Sequence, residues 1–116
     1  MKKILLIEDD EDLLELYAEV LKNEKYYVET ASNGREGLEK FNKTKFDLVI
    51  LDIRMPVMDG IETLGAILEQ RKDVKIIINT AYGSYKDNFL TWGADAYLIK
   101  SSSLDDLLKK VKGLIG

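Results

Sequence analysis

Two apolar runs in this chain end in acid. Lys3-Ile4-Leu5-Leu6-Ile7 is followed by Glu8-Asp9-Asp10, and Leu48-Val49-Ile50-Leu51 by Asp52. Runs that short and that apolar read as buried strands, which places each acidic group at a carboxyl end, where the chain turns out of the core. If the two strands are neighbours, three or four carboxylates converge on one crevice. Three anions that close push at least one carboxyl pKa upward unless something compensates. A hard divalent cation compensates best, and an open carboxylate site that keeps its water suits Mg²⁺. Each residue also has an ordinary explanation. An acidic residue at the start of a helix caps it and favours its dipole, which is adequate for Asp10 and weaker for Glu8. Two further strand ends add complementary groups: Thr80 closes Ile76-Ile77-Ile78-Asn79, and Lys100 closes Tyr97-Leu98-Ile99. Singly, these are a solvated hydroxyl and a snorkelling lysine. Jointly, they face one acidic crevice.

The elements that must hold these groups alternate along the chain. Strands are expected over 3–7, 26–31, 46–51, 74–78 and 96–99. Helices are expected over 11–23, from Asn33 to about 42, over 60–70, over about 85–92, and from near Ser103 onward, where Ser103 and Asp106 suit a helix cap. Five βα units with short connections imply a parallel sheet flanked by five helices on its two faces, joined by right-handed crossovers. In the doubly wound, flavodoxin-like order 2-1-3-4-5, strands one and three are neighbours and the ligand crevice lies between them. Glu8, Asp9 and Asp52 then occupy that crevice.

Composition narrows the chemistry. The 116 residues suit one domain spanning 1–116, with net charge −4 and pI about 4.9, so no basic face for nucleic acid is expected. There is no Cys and no His. Disulfides, thiolate nucleophiles, imidazole ligands and His-Asp-Ser chemistry are therefore excluded. Acid, base or nucleophile must come from Asp, Glu, Lys, Ser, Thr or Tyr. No apolar stretch approaches the roughly 20 residues that span a bilayer, and a cytoplasmic protein without membrane contact is expected.

Five pieces in this order and spacing resemble the receiver domains of two-component response regulators, of the chemotaxis-regulator type. They are Leu6-Ile7-Glu8-Asp9-Asp10, Asp47 to Asp52, Met55-Pro56-Val57-Met58-Asp59-Gly60, Thr80-Ala81 and Gly93 to Lys100. The resemblance runs end to end. It implies that Asp52 is the phosphoacceptor, that Asp9 and Asp52 bind Mg²⁺ directly, that Glu8 acts mostly through water, and that the backbone carbonyl of Arg54 is a further metal ligand. It implies that Thr80 and Lys100 contact the phosphoryl oxygens. The phosphoryl source would be a sensor histidine kinase or a phosphotransfer protein. Thr80 and Tyr97 would form the switch, read by a downstream protein target on the face of the fourth helix, fifth strand and fifth helix, which also carries Tyr85 and Trp92. The bulk of Arg54 and Tyr82 would slow hydrolysis.

The pattern departs from the family at Ser101, where most relatives carry proline after the lysine, so a trans Lys100-Ser101 bond is expected. Asn79 is also unexpected at a buried strand end, where it needs hydrogen-bond partners or carries a desolvation penalty. The rival reading is a Mg²⁺-dependent aspartate-nucleophile phosphatase. That chemistry normally places a second Asp two residues after the nucleophile, and Arg54 stands there. With no linker after Gly116, a single-domain regulator that assists only its own phosphorylation and dephosphorylation is favoured over the receiver piece of a longer one.

Overall fold

The computed structural model of this chain describes residues 1–53, 60–71, 73–81, 93–100 and 103–116. Among them the sequence forms β1 (Lys3–Ile7), α1 (Glu11–Asn23), β2 (Tyr27–Ala31), α2 (Gly34–Lys43), β3 (Leu48–Leu51), α3 (Gly60–Gln70), β4 (Lys75–Thr80), β5 (Ala96–Ile99) and α4 (Leu104–Ile115). The short helix expected over about 85–92 lies outside the described residues. So do Arg54, Tyr82, Tyr85, Trp92 and Ser101, and with Ser101 its bond to Lys100.

All five strands are parallel, in the order β2-β1-β3-β4-β5. Helices cover both faces, which is why the strand sequences are continuously apolar rather than alternating. Leu5, Ile7, Val49, Leu51, Ile76 and Ile78 face one side, where they pack with Phe41 of α2 and Leu64 and Ile67 of α3. Ile4, Leu6, Leu48, Ile50 and Ile77 face the other, against Tyr17 and Leu21 of α1 and Leu107 and Val111 of α4. The two cores clamp the sheet, so the groups at strand ends inherit a rigid platform.

Local signals set the element ends. Asp10 caps α1, accepting the amides of Asp12 at 3.0 Å and Leu13 at 3.2 Å. Asn33 caps α2 through the Glu36 amide at 2.9 Å, and the Glu36 carboxylate returns to the Ser32 amide at 2.8 Å. Ser103 caps α4 through the Asp106 amide at 3.2 Å. Strand limits differ from the sequence expectation in β2, β3 and β4; β2 begins at Tyr27 rather than Tyr26, and β4 at Lys75 rather than Val74. β3 begins at Leu48 rather than at residue 46, because Asp47 turns its carboxylate onto the Lys3 amide at 2.8 Å and so ends the ladder. β4 continues through Thr80 because β5 extends the pairing, with Asn79 opposite Leu98 and Thr80 opposite Ile99.

Candidate functional site: an acidic crevice at the carboxyl ends of β1 and β3

The register of β1 on β3 pairs Ile7 with Leu51, so the next residue of each strand, Glu8 and Asp52, emerges at the same level. The backbone holds both. The Asp52 amide donates to the Ile7 carbonyl at 3.2 Å, and the Glu8 amide to the Ala31 carbonyl at 3.0 Å. Glu8 is 2% exposed and Asp52 5%, whereas Asp9 is open to solvent. One carboxylate oxygen from each of the three lies within 4.8 Å of the others. Neighbouring β-strands thus bring together the acidic residues that the sequence nominated.

Lys100 closes the crevice from β5. Its amide donates to the Thr80 carbonyl at 2.7 Å, fixing the strand end. Its ammonium lies 2.8 Å from Asp52 Oδ2 and 2.8 Å from Glu8 Oε1. Glu8 also accepts the Asp10 amide at 3.1 Å, so the capped start of α1 orients its carboxylate. Burial pushes the Glu8 pKa above the ordinary carboxyl value, and the charge of Asp52 adds to this, against the opposing pull of Lys100 and the Asp10 amide. Burial works against the Lys100 ammonium, yet its bonds to Asp52 and Glu8 outweigh it and hold its pKa above that of a free lysine. The lysine is therefore a fixed positive charge.

The other nominated residues fall around this centre. Thr80 is fully buried at the end of β4, on the sheet face of Ile78. Tyr97 pairs with Ile78, is half-buried and packs against the core cluster on that same face. Arg54 lies outside the described residues. Asn79, on the opposite face, is 5% exposed and opens onto a pocket of about 190 Å³ between α1 and α4, which Lys100 also lines. Sequence reasoning treated Gly60 only as part of a motif. In the structure its amide donates to the Ile53 carbonyl at 3.1 Å, directly behind Asp52. An Asp-Gly pair opening a helix was the available signal.

The donor set suits Mg²⁺. It consists of hard carboxylate oxygens at the ends of two strands, one of them solvent-facing, and among the described residues three carboxylates there meet one lysine. Glu8, Asp9 and Asp52 are the residues that would hold the ion.

Comparisons with known proteins point the same way. The family model "Response regulator receiver domain" matches residues 4–112. The response regulator ArlR of Staphylococcus aureus is 33% identical over 116 residues, which cover 99% of this chain and 53% of that protein. The chain thus spans about half the length of the curated relatives it matches. Among solved structures, the response regulator TrrA of Thermotoga maritima in complex with Mg²⁺-BeF is 46% identical, with a TM-score of 0.92 over 99% of this chain and 100% of that one. TrrA in complex with the histidine kinase ThkA gives a TM-score of 0.90 at the same identity, covering 100% of both chains. The chemotaxis protein CheY4 of Vibrio cholerae is 33% identical, with a TM-score of 0.92 over 99% of each chain. Ordered strand ends, acidic crevice and bridging lysine, together with the match over residues 4–112, establish that this chain belongs to the response regulator receiver domain family.

Proposed function

We propose that this chain is a phosphoacceptor switch in two-component signalling, with Asp52 taking a phosphoryl group from a sensor histidine kinase or a phosphotransfer protein. The observation that carries the reading is the meeting of Glu8, Asp9 and Asp52 within 4.8 Å at the end of a parallel sheet, with Lys100 bonded to two of them. TrrA, 46% identical, is seen both with Mg²⁺-BeF and with a histidine kinase, which supports the same reading here.

A carboxylate is a poor nucleophile towards an anionic phosphoryl group, so positioning and charge neutralisation must supply most of the rate. Mg²⁺, when bound by Glu8, Asp9 and Asp52, supplies positive charge beside the acceptor oxygen. Lys100 presents a second positive charge, already bonded to Asp52 Oδ2. Thr80 offers a hydroxyl from the adjoining strand end. The product is an aspartyl phosphate, which adds close to two negative charges and three acceptor oxygens at a buried position.

Thr80 is drawn to those oxygens, and Tyr97 on the same sheet face repacks into the space released. This shifts the population between two arrangements of the β4–β5 end. A downstream protein target then reads the surface of β5, the terminal helix and the segment over about 85–92, which we take as a further helix. We read residues 1–116 as one receiver unit, acting in the cytoplasm without nucleic-acid or membrane contact of its own. Among the described residues no helix is long and apolar enough to cross a membrane. The unit is regulatory, not a turnover enzyme.

Incubation with acetyl phosphate, with and without Mg²⁺, followed by intact-mass analysis tests this. One phosphoryl group is expected in the wild type with Mg²⁺, and none in Asp52→Asn or with chelator. Steady turnover of a phosphomonoester, abolished in Asp52→Asn, would favour the phosphatase reading instead.

A further inference from the structure

Gly60 carries no side chain, yet its backbone packs tightly against that of the acceptor. A Cβ built on Gly60 would lie 2.4 Å from Ile53 Cα and 2.8 Å from the Asp52 carbonyl oxygen, with the Ile53 carbonyl carbon at 3.2 Å. All three are backbone atoms, so no side-chain rotation relieves the contact. Ile53 cannot retreat, since its side chain is 7% exposed in the core that holds Leu64 and Ile67. On its other side, the Asp52 peptide is bonded to the Ile7 carbonyl of β1. The peptide that carries the carboxylate is thus gripped between β1 and the first residue of α3.

Other glycines of the chain meet different surroundings. A Cβ on Gly37 would press on the tip of the Ile7 side chain, which can move, and one on Gly65, a turn further along α3, meets nothing within 4 Å. Unlike Gly37, Gly65, Gly93 and Gly113, Gly60 places its missing Cβ against the reacting residue.

We propose that Gly60 is a positioning residue for Asp52: its bare Cα lets α3 begin directly against the Asp52–Ile53 backbone and so sets where the acceptor carboxylate stands relative to Glu8, Asp9 and Lys100. The inference rests on the phosphoacceptor reading and deepens it. One added methyl, 2.4 Å from Ile53 Cα, forces the Asp52–Ile53 backbone and the start of α3 apart by about 0.6 Å to reach even the 3.0 Å that real Cβ atoms keep. That distance matters where a nucleophile must be aligned with its target and share a cation with two other carboxylates.

The test compares Gly60→Ala, Gly65→Ala and the double variant as full chains, reading melting temperature, the Mg²⁺ concentration for half-maximal labelling by acetyl phosphate, and the labelling rate at saturating Mg²⁺. Gly65→Ala adds the same methyl to the same helix in open space, favours the helix, and offsets part of any stability loss in the double variant. Gly60→Ala, alone and with Gly65→Ala, is expected to raise the half-maximal Mg²⁺ concentration about fivefold and to lower the saturated rate about tenfold. Gly65→Ala alone should leave both at wild-type values. A general loss of stability would move the Mg²⁺ midpoint only as far as the unfolded fraction rises, which the melting temperature reads, and would leave the saturated rate at its wild-type value. Wild-type midpoint and rate in folded Gly60→Ala would overturn the positioning role. A double variant that cannot fold would overturn it as well, since the glycine would then serve the fold and not the site. Absence of Mg²⁺-dependent labelling in the wild type would instead sink the phosphoacceptor reading itself.

Discussion

At the amino-terminal edge of the sheet, Asp47 accepts the Lys3 amide and Asp95 the Ile76 amide, each at 2.8 Å, while both return their own amides to neighbouring carbonyls. Those carboxylates finish a ladder of backbone donors and stand apart from one another. At the carboxyl edge, Glu8, Asp9 and Asp52 crowd within 4.8 Å, and Glu8 and Asp52 share one ammonium. The same residue type therefore does opposite things at the two ends of the same strands. Where acids meet backbone amides they stabilise the fold. Where they meet each other, the arrangement opposes folding unless positive charge arrives, and that is the mark of a site kept for its chemistry.

Variants sharpen this contrast, beginning with the largest effect. Lys100→Met leaves Glu8 and Asp52 buried without their shared cation. It is expected to destabilise the metal-free protein by about 3 kcal/mol, towards the low end for breaking a buried pair because the lysine side chain keeps 17% exposure. Added Mg²⁺ should recover more stability in this variant than in the wild type, as followed by urea denaturation. Asp95→Ala, at the opposite edge, should cost about 1.5 kcal/mol through loss of a charged hydrogen bond to backbone, with labelling rate and Mg²⁺ response unchanged. Parallel losses of labelling at both edges would erase the distinction.

A pH comparison is subtler. The folded Glu8 pKa is raised, so folding favours its protonated form. Its contribution to stability is present in full below the ordinary carboxyl value of 4.5 and is lost as pH rises through the folded pKa. In chelator, the stability of the wild type relative to Glu8→Gln should therefore increase as pH is lowered from 7 towards 4.5, measured by denaturation at each pH. The smallest effect is expected at the solvent-exposed pair of Lys112 and Glu24, 2.7 Å apart. Lys112→Ala should leave the melting temperature unchanged within error.

Much of this was legible in the residues because strand ends are marked by a change from apolar to charged. Glu8, Asp52, Thr80 and Lys100 each follow a short apolar run, and a parallel sheet brings such ends to one edge. The limits of α1, α3 and β5 follow from periodicity and caps, and agree residue for residue with expectation. Three features were not legible. The first is the pairing of Lys100 with both Glu8 and Asp52, which stands beside its expected contact with an incoming phosphoryl group. That depends on how far β5 extends beside β4, a register no local pattern specifies. The seat of Gly60 against Asp52 is a tertiary approach between backbones, invisible in a sequence that shows only a missing side chain. Asp47 sits in a run that reads as strand, yet it ends the ladder because its carboxylate finds an amide 44 residues away.

Mg²⁺ titration by isothermal calorimetry, at neutral pH and without phosphodonor, tests most directly whether the crowded edge exists for a cation. The wild type is expected to bind about one ion per chain, with affinity weakened at least about tenfold in Asp9→Asn and in Asp52→Asn and unaffected in Asp47→Asn. No saturable heat in the wild type, or equal affinity in all four proteins, would contradict the account.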